Sequence, residues 1–353
     1  MNISKFDYLL PRELIAQKPA NPRDASKLLI LDRNSRKITH SIFHNITDFL
    51  SENDVLVFNK SKVFPARIFG RKKTKGKVEV LILKFLPDSV CEVITKPGLF
   101  LFDTIYFEGF SGRVVKRDGY ITHVAFDIDE AALLRKIETV GKTPIPPYIR
   151  PILSEKDLRE KYQTVYAKTV GSAAAPTAGL HFTKELLKKL KKKSVQMEYV
   201  TLHVGLGTFA PVKENDIEKH KIHEEYFEVD PETISRLNKS KKDGKRIIAV
   251  GTTTTRVLES LTSGNCKLKI ENLTGSTNLF IYPPYKFKFI DAMITNFHLP
   301  KSTLLALVSA FVSYPNTEIK FKDFQSSLLG KAYQEAINIE YRFFSFGDAM
   351  FIK

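Results

Sequence analysis

Three short segments combine small residues, hydroxyls and imidazoles in spacings suited to binding an anionic or hydroxyl-rich ligand and to moving protons. Residues 171–179 (GSAAAPTAG) include Thr177 and Gly179 and run into Leu180, His181 and Phe182. Residues 201–208 (TLHVGLGT) carry His203, Gly205, Gly207 and Thr208, and residues 250–256 (VGTTTTR) carry Thr252, Thr253 and Arg256. Backbone amides at such turns, with a helix start beside them, hold anions in the crevice at strand carboxyl ends. The three segments are therefore expected to share one crevice. Each alone has a plainer reading, since glycine and alanine in a tight turn serve backbone geometry and a lone strand histidine is ordinarily structural. His220, His223, Glu224 and Glu225 sit at spacings that share a helix face. No third ligand stands at diagnostic spacing and no H-E-x-x-H occurs, so no metal site is expected.

Familiar nucleotide motifs are absent. No G-x-x-x-x-G-K-[ST] occurs, and Gly205-Leu206-Gly207 runs on to Pro211 instead of opening a helix, which argues against a Rossmann dehydrogenase.

The elements that must position these segments come in two rhythms. From residue 54 to about 127 the chain reads strand after strand: DVLVFN, ARIFGRK, KVEVLILKF, VCEVIT, DTIYFEG, GRVVKRD and YITHVAFD, punctuated by Gly, Pro and Asp. Such spacing predicts a small barrel. A helix is predicted over 130–140, closed by Gly141, and the proline-rich stretch 144–151 suits neither regular element. Beyond it, Thr183 caps a helix over 183–193, strands fall at 195–204 and 246–250, and Asp230-Pro231 opens a helix ending near Gly244. Segments 255–261, 279–282, 289–295, 301–312 and 321–337 continue the alternation of a layered α/β domain. With a further strand at 28–31, the preferred architecture is a discontinuous α/β main domain (1–60 and 145–353) with an inserted β-barrel domain (61–144).

The 353 residues, 43% hydrophobic and 27% charged, argue for two folded domains, possibly three in length alone. No apolar run approaches the roughly 20 residues needed to span a bilayer. Two cysteines, Cys91 and Cys266, cannot build a disulfide framework. A reducing cytoplasm is the expected home. Lysine and arginine total 55 against 39 acids, a net charge of +16 that draws phosphate polyanions, although a general lysine bias accounts for runs such as 71–77 (RKKTKGK) without any function.

Long motifs then make a family recognisable. Residues 22–26 (PRDAS), 65–67 (PAR), 162–167 (YQTVYA), 174–182 (AAPTAGLHF), 200–205 (VTLHVG), 295–305 (TNFHLPKSTLL) and 341–349 (YRFFSFGDA) closely resemble the S-adenosylmethionine:tRNA ribosyltransferase-isomerase family of queuosine synthesis. The resemblance runs from the first strand to the last. It implies that S-adenosylmethionine, a co-substrate and not a cofactor, donates its ribosyl group to 7-aminomethyl-7-deazaguanine at the tRNA wobble position. Epoxyqueuosine-tRNA, adenine and methionine would be the products. It also implies a barrel inserted in an α/β domain, in agreement with the reading above.

For this chemistry the sulfonium acidifies the neighbouring 5′ carbon, adenine needs a proton or hydrogen bond to leave, and the attacking amine must be unprotonated. Histidine titrates near neutrality and suits these roles. His181 and His203 are the expected catalytic residues, with Asp24 and Glu225 as second choices, individual assignments staying open. Thr177, Gly179, Gly205, Gly207, Thr208, Thr252, Thr253, Arg256 and His298 are expected to bind substrate. Lys60, Lys62, Arg67 and Arg71, on strands entering the barrel, are expected to meet tRNA. The family's Leu-Asn-Asp-Thr-Arg-Val is Phe58-Asn59-Lys60-Ser61-Lys62-Val63 here, which removes an acidic role at position 60. Leu206 and Pro284 also depart from the pattern, while His223 and Glu225 match it. A tRNA-binding module without activity would explain the charge but not the turns, and a phosphoribosyltransferase-like enzyme would explain only residues 251–256.

Overall fold

Period-two alternation on continuously apolar runs dictates strands buried on both faces. In the computed structural model, which describes residues 1–150, 152–205, 214–222, 224–262, 268 and 274–353, these runs form one nine-stranded sheet. The chain enters it through β1 (Lys27–Leu31), β2 (Ile38–Ile42) and β3 (Asp54–Asn59), and β4 (Ser61–Val63) leads away. Six strands then close a barrel: β5 (Arg67–Lys72), β6 (Lys77–Leu86), β7 (Val90–Lys96), β8 (Thr104–Phe107), β9 (Phe110–Asp118) and β10 (Ile121–Phe126). The rest comprises α1 (Glu130–Val140), α2 (Glu155–Lys161), β11 (Thr169–Ser172), α3 (Lys184–Lys192), β12 (Gln196–Leu202), β13 (Glu225–Glu228), α4 (Pro231–Lys242) and β14 (Arg246–Val250). It ends with α5 (Thr252–Leu261), β15 (Thr274–Thr277), β16 (Ala292–Asn296), α6 (Thr303–Phe311), α7 (Leu328–Asn338) and β17 (Ala349–Ile352).

The large sheet runs β15-β13-β12-β3-β14-β16-β17-β1-β2. Its centre, β12 to β16, is parallel, and β17 joins β16 antiparallel. Alternation sorts the side chains. Leu29, Leu31, Val55, Val57, Ile247 and Ala249 face a core closed by α4, α5, α6 and α7, whereas Leu28, Ile30, Leu56, Phe58, Ile248 and Val250 face a second core closed by α3 and Phe43. Barrel strands pair antiparallel throughout and enclose Ile68, Val78, Val80, Val93, Ile105 and Val124. Gly70 permits that closure, because a Cβ there would stand 2.6 Å from an Ile105 methyl.

The sequence expectations hold in outline: a layered α/β sheet domain and a small barrel. Helix α1 covers the predicted residues, Thr183 Oγ1 caps α3 by accepting from Leu186 N, and Asp230 caps α4. The DVLVFN strand, which shares the rhythm of the barrel strands but falls in the expected main domain (1–60), is β3, at the centre of the main sheet, with all six of its residues buried. Two readings are corrected. Residues 279–282 form no regular element, and the helix predicted from 321 begins only at Leu328, after Ser327 caps it. Among the described residues no helix is long and apolar enough to cross a membrane.

Candidate functional site

Strands β14 and β16 end side by side, joined where Gly251 N donates to the Ile294 carbonyl at 2.8 Å. Gly251 then turns with φ +93°, a conformation costly for any residue with a Cβ, and α5 starts at once. Every other α-helix described (α1, α2, α3, α4, α6 and α7) has a side chain accepting a hydrogen bond from its first turn. Helix α5 has none. Its first amides and its positive dipole end face a crevice, the arrangement that favours an anionic group.

The crevice encloses about 590 Å³ between atoms, a figure that takes in its open mouth. Its walls come from three directions: Ala175, Pro176, Thr177 and Ala178; Gly251, Thr252 and Thr253; and residues 295–299 with Ser302 and Leu304. Tyr148, Phe344 and Ser345 complete it. The Thr253 hydroxyl is buried with no protein hydrogen-bond partner. Such a group costs free energy unless something supplies a partner.

Behind the wall lies a polar chain. Thr177 Oγ1 donates to Asn296 Oδ1 at 2.9 Å, and Asn296 Nδ2 donates to His181 Nε2 at 3.2 Å. The other imidazole nitrogen, Nδ1, meets Ser26 Oγ at 2.8 Å, so with Nε2 accepting, the proton is assigned to Nδ1. Burial lowers the His181 pKa to about 4, which keeps the ring neutral at neutral pH. The ring also packs against Phe43, centroids 5.0 Å apart. His298 is neutral for the same reason, pushed down to about 3 by burial, and its Nε2 meets Thr295 Oγ1 at 2.8 Å.

Of the residues named from sequence, Thr177, Thr252, Thr253 and His298 line the crevice. His181 stands one hydrogen bond behind it. His203 lies at the carboxyl end of β12, its ring stacked on Tyr226 and packed against Gly171. Burial lowers its pKa, with Glu228 and the Gly171 backbone opposing. Asp24 accepts from Thr183 Oγ1 at 2.9 Å, bracing the start of α3. Glu225 and Arg256 form a buried ion pair, in which Glu225 also accepts from Gly205 N at 3.0 Å and Arg256 donates to the carbonyls of Thr277 and Leu279. Gly179 is there for space: a Cβ would stand 1.9 Å from the Tyr166 hydroxyl oxygen. Gly207 and Thr208, with Leu206 and His223, lie outside the described residues.

The four basic residues divide. Lys62 and Arg71 are exposed, Lys60 is half-buried beside Lys168 and Arg236, and Arg67 is held by Glu79 at 3.3 Å and by the Ile145 carbonyl. Among the described residues no group of three or more His, Cys, Asp or Glu is placed to hold a metal ion. Sequence reasoning missed Asn296, Tyr148 and Ser345. Asn296 and Ser345 sit in motifs quoted for the resemblance and Tyr148 in the proline-rich stretch 144–151, but an amide or hydroxyl carries no local sign that it will face a cavity.

The chain resembles known proteins over its whole length. A family model described as queuosine biosynthesis protein matches residues 3–352. A relative from Thermotoga petrophila is 48% identical over 358 residues, covering all of both chains, and is named S-adenosylmethionine:tRNA ribosyltransferase-isomerase. Relatives of the same name from Thermosipho melanesiensis (48%) and a Sulfurihydrogenibium species (46%) also match over the full length of both chains. The crystal structure of S-adenosylmethionine tRNA ribosyltransferase from Thermotoga maritima superposes with a TM-score of 0.53 at 36% identity, covering 99% of this chain and 100% of that one.

Proposed function

Because the chain belongs to the queuosine biosynthesis protein family, whose relatives here are named as one transferase-isomerase along their whole length, we propose that it transfers and isomerises the ribosyl group of S-adenosylmethionine onto 7-aminomethyl-7-deazaguanine at the tRNA wobble position. Epoxyqueuosine-tRNA, adenine and methionine are the products of this reading. One observation carries it: the crevice presents helix-start amides and the Thr253 hydroxyl without protein partners, flanked by Thr177 and His298. The α5 amides suit the methionyl carboxylate, and the hydroxyls suit a ribose.

Proton movements divide by environment. A base takes a proton from the 5′ carbon beside the sulfonium, adenine accepts one as it leaves, and methionine departs as a neutral thioether. His203, only partly buried, is the better candidate for proton transfer. His181, with both nitrogens engaged and its pKa near 4, fixes the Asn296 amide. Glu225, tied to Arg256, and Asp24, tied to Thr183, hold neighbouring segments in place. Lys60, Lys62, Arg67 and Arg71 remain the proposed tRNA contacts. No metal or further cofactor enters the reading.

The test is release of adenine from S-adenosylmethionine by purified protein. Adenine and methionine should appear in equal amounts, only with tRNA carrying the aminomethyl base, and with chelator making no difference. Adenine release without that base, or activity lost to chelator and restored by zinc, would overturn the corresponding part.

A further inference from the structure

Away from the crevice, one face of the barrel carries aromatic rings where water would be expected. Along β5 the side chains of Ile68 and Gly70 point inward, which turns Phe69 and Arg71 outward. Register aligns them with neighbours: Arg71 stands opposite Lys77 of β6 on one side and Tyr106 of β8 on the other, and Phe69 stands opposite Glu79. A row Lys77-Arg71-Tyr106 thus crosses three strands, with Phe69 two residues along the same face. Cross-strand partners lie about 5 Å apart, so the rings and cations form one patch. Phe69 is 51% exposed and Tyr106 48%. The Lys142 ammonium lies 5.8 Å from the Phe69 ring centroid. Glu79 is taken by Arg67, and among the described residues no ion pair occupies Arg71, Lys77 or Lys142. Glu108 is the other acid of the shallow groove here.

Exposed rings interleaved with cations that have no acidic partner among the described residues suit a chain of alternating bases and phosphates, for stacking is sequence-tolerant and basic groups follow the backbone. The +16 net charge favours the same polyanion. We propose that this barrel face binds unpaired nucleotides of the RNA substrate, with Phe69 and Tyr106 stacking on bases and Arg71, Lys77 and Lys142 contacting phosphates. The proposal deepens the tRNA reading above and rests on it for the identity of the RNA.

The probe is a ten-nucleotide oligouridylate carrying one 2-aminopurine, titrated into the full chain at several salt concentrations. Wild-type protein should quench the fluorophore. Phe69→Leu with Tyr106→Leu should weaken binding at least about tenfold and abolish the quench, with the log-log salt slope unchanged; stacking is worth on the order of this per base. Arg71→Gln with Lys77→Gln should lower the slope by about 0.7 for each phosphate left without its cation. Both double variants change exposed side chains, and their melting temperatures check the fold. Unaltered affinity in the aromatic variant, or a fall in slope caused by it, overturns the stacking assignment. If the wild type binds the oligonucleotide as described but releases no adenine on modified tRNA, it is the proposed reaction that fails and the RNA face that stands.

Discussion

Asn296 and His181 are joined by a single hydrogen bond of 3.2 Å that crosses from the crevice wall to the core. An amide can rotate by 180° at little cost unless its neighbours distinguish oxygen from nitrogen. Here a neutral imidazole accepts from the nitrogen and the Thr177 hydroxyl donates to the oxygen. The buried histidine therefore sets which way the crevice amide faces.

If that tether matters to the reaction, Asn296→Ala and His181→Ala should each lower kcat/KM for adenine release at least about tenfold. The double variant should lose no more than the worse single one, because both remove the same arrangement. Multiplying losses would show that the two residues act separately. His181→Ala should also cost about 2 to 4 kcal/mol of stability through the void against Phe43.

Thr253→Val tests the unpartnered hydroxyl. Removing a buried, unsatisfied polar group should leave the unliganded protein as stable as before or slightly more so. S-adenosylmethionine affinity should fall about threefold to tenfold, the net value of one hydrogen bond. Calorimetric binding together with a thermal melt reads both, and unchanged affinity would remove Thr253 from the substrate contacts.

The buried histidines predict an acid limit to stability. His181 and His298 titrate near 4 and 3 when folded, against about 6.5 when unfolded. Depressed values mean that the unfolded chain takes up protons first, so their contribution is complete above pH 6.5 and is lost as pH falls toward 4 and then 3. The loss is on the order of 1 kcal/mol per pH unit for each histidine. Urea midpoints between pH 4.5 and 7.5 should show this slope, and His298→Gln should reduce it. An identical slope in that variant would assign the titration elsewhere.

For the Glu225 and Arg256 pair, breaking one side strands a buried charge. Arg256→Met should cost about 3 to 5 kcal/mol in urea unfolding. Adding Glu225→Gln should restore part of it, since the neutral amide still accepts from Gly205 N. A double variant less stable than Arg256→Met would show that the carboxylate has another essential partner.

Charge reversal separates three of the basic residues. Lys62→Glu and Arg71→Glu, at exposed positions, should weaken tRNA binding and lower the salt slope by about 0.7 to 0.9 per phosphate. Arg67→Glu should lower barrel stability as well as RNA binding, because Arg67 also pairs with Glu79 and donates to the Ile145 carbonyl. An unchanged slope in the first pair would move the RNA path to another surface.

Local chemistry made much of this protein legible in its sequence. Helices announce themselves through caps, as at Thr183 and Asp230, because the orphan amides of a first turn are satisfied by a side chain only a few residues away. The barrel strands show period two, and the family is written in uninterrupted motifs. Two of the crevice's segments, at 175–178 and 251–253, were legible as small-residue turns for the same reason, backbone geometry being a local demand. The turn expected over 201–208 gives the crevice no described residue. What tertiary structure alone decided is which way side chains face. DVLVFN reads like its barrel neighbours, yet it becomes the centre of the main sheet because β12 and β14 bury it on both sides. His181 reads as a catalyst, and only the approach of Ser26, Asn296 and Phe43 from three remote segments encloses it and holds it neutral. Arg256 reads as a ligand contact, but Glu225 reaches it from a different strand. Desolvation and pairing depend on atoms brought together from 31 to 155 residues apart, and no local pattern encodes them.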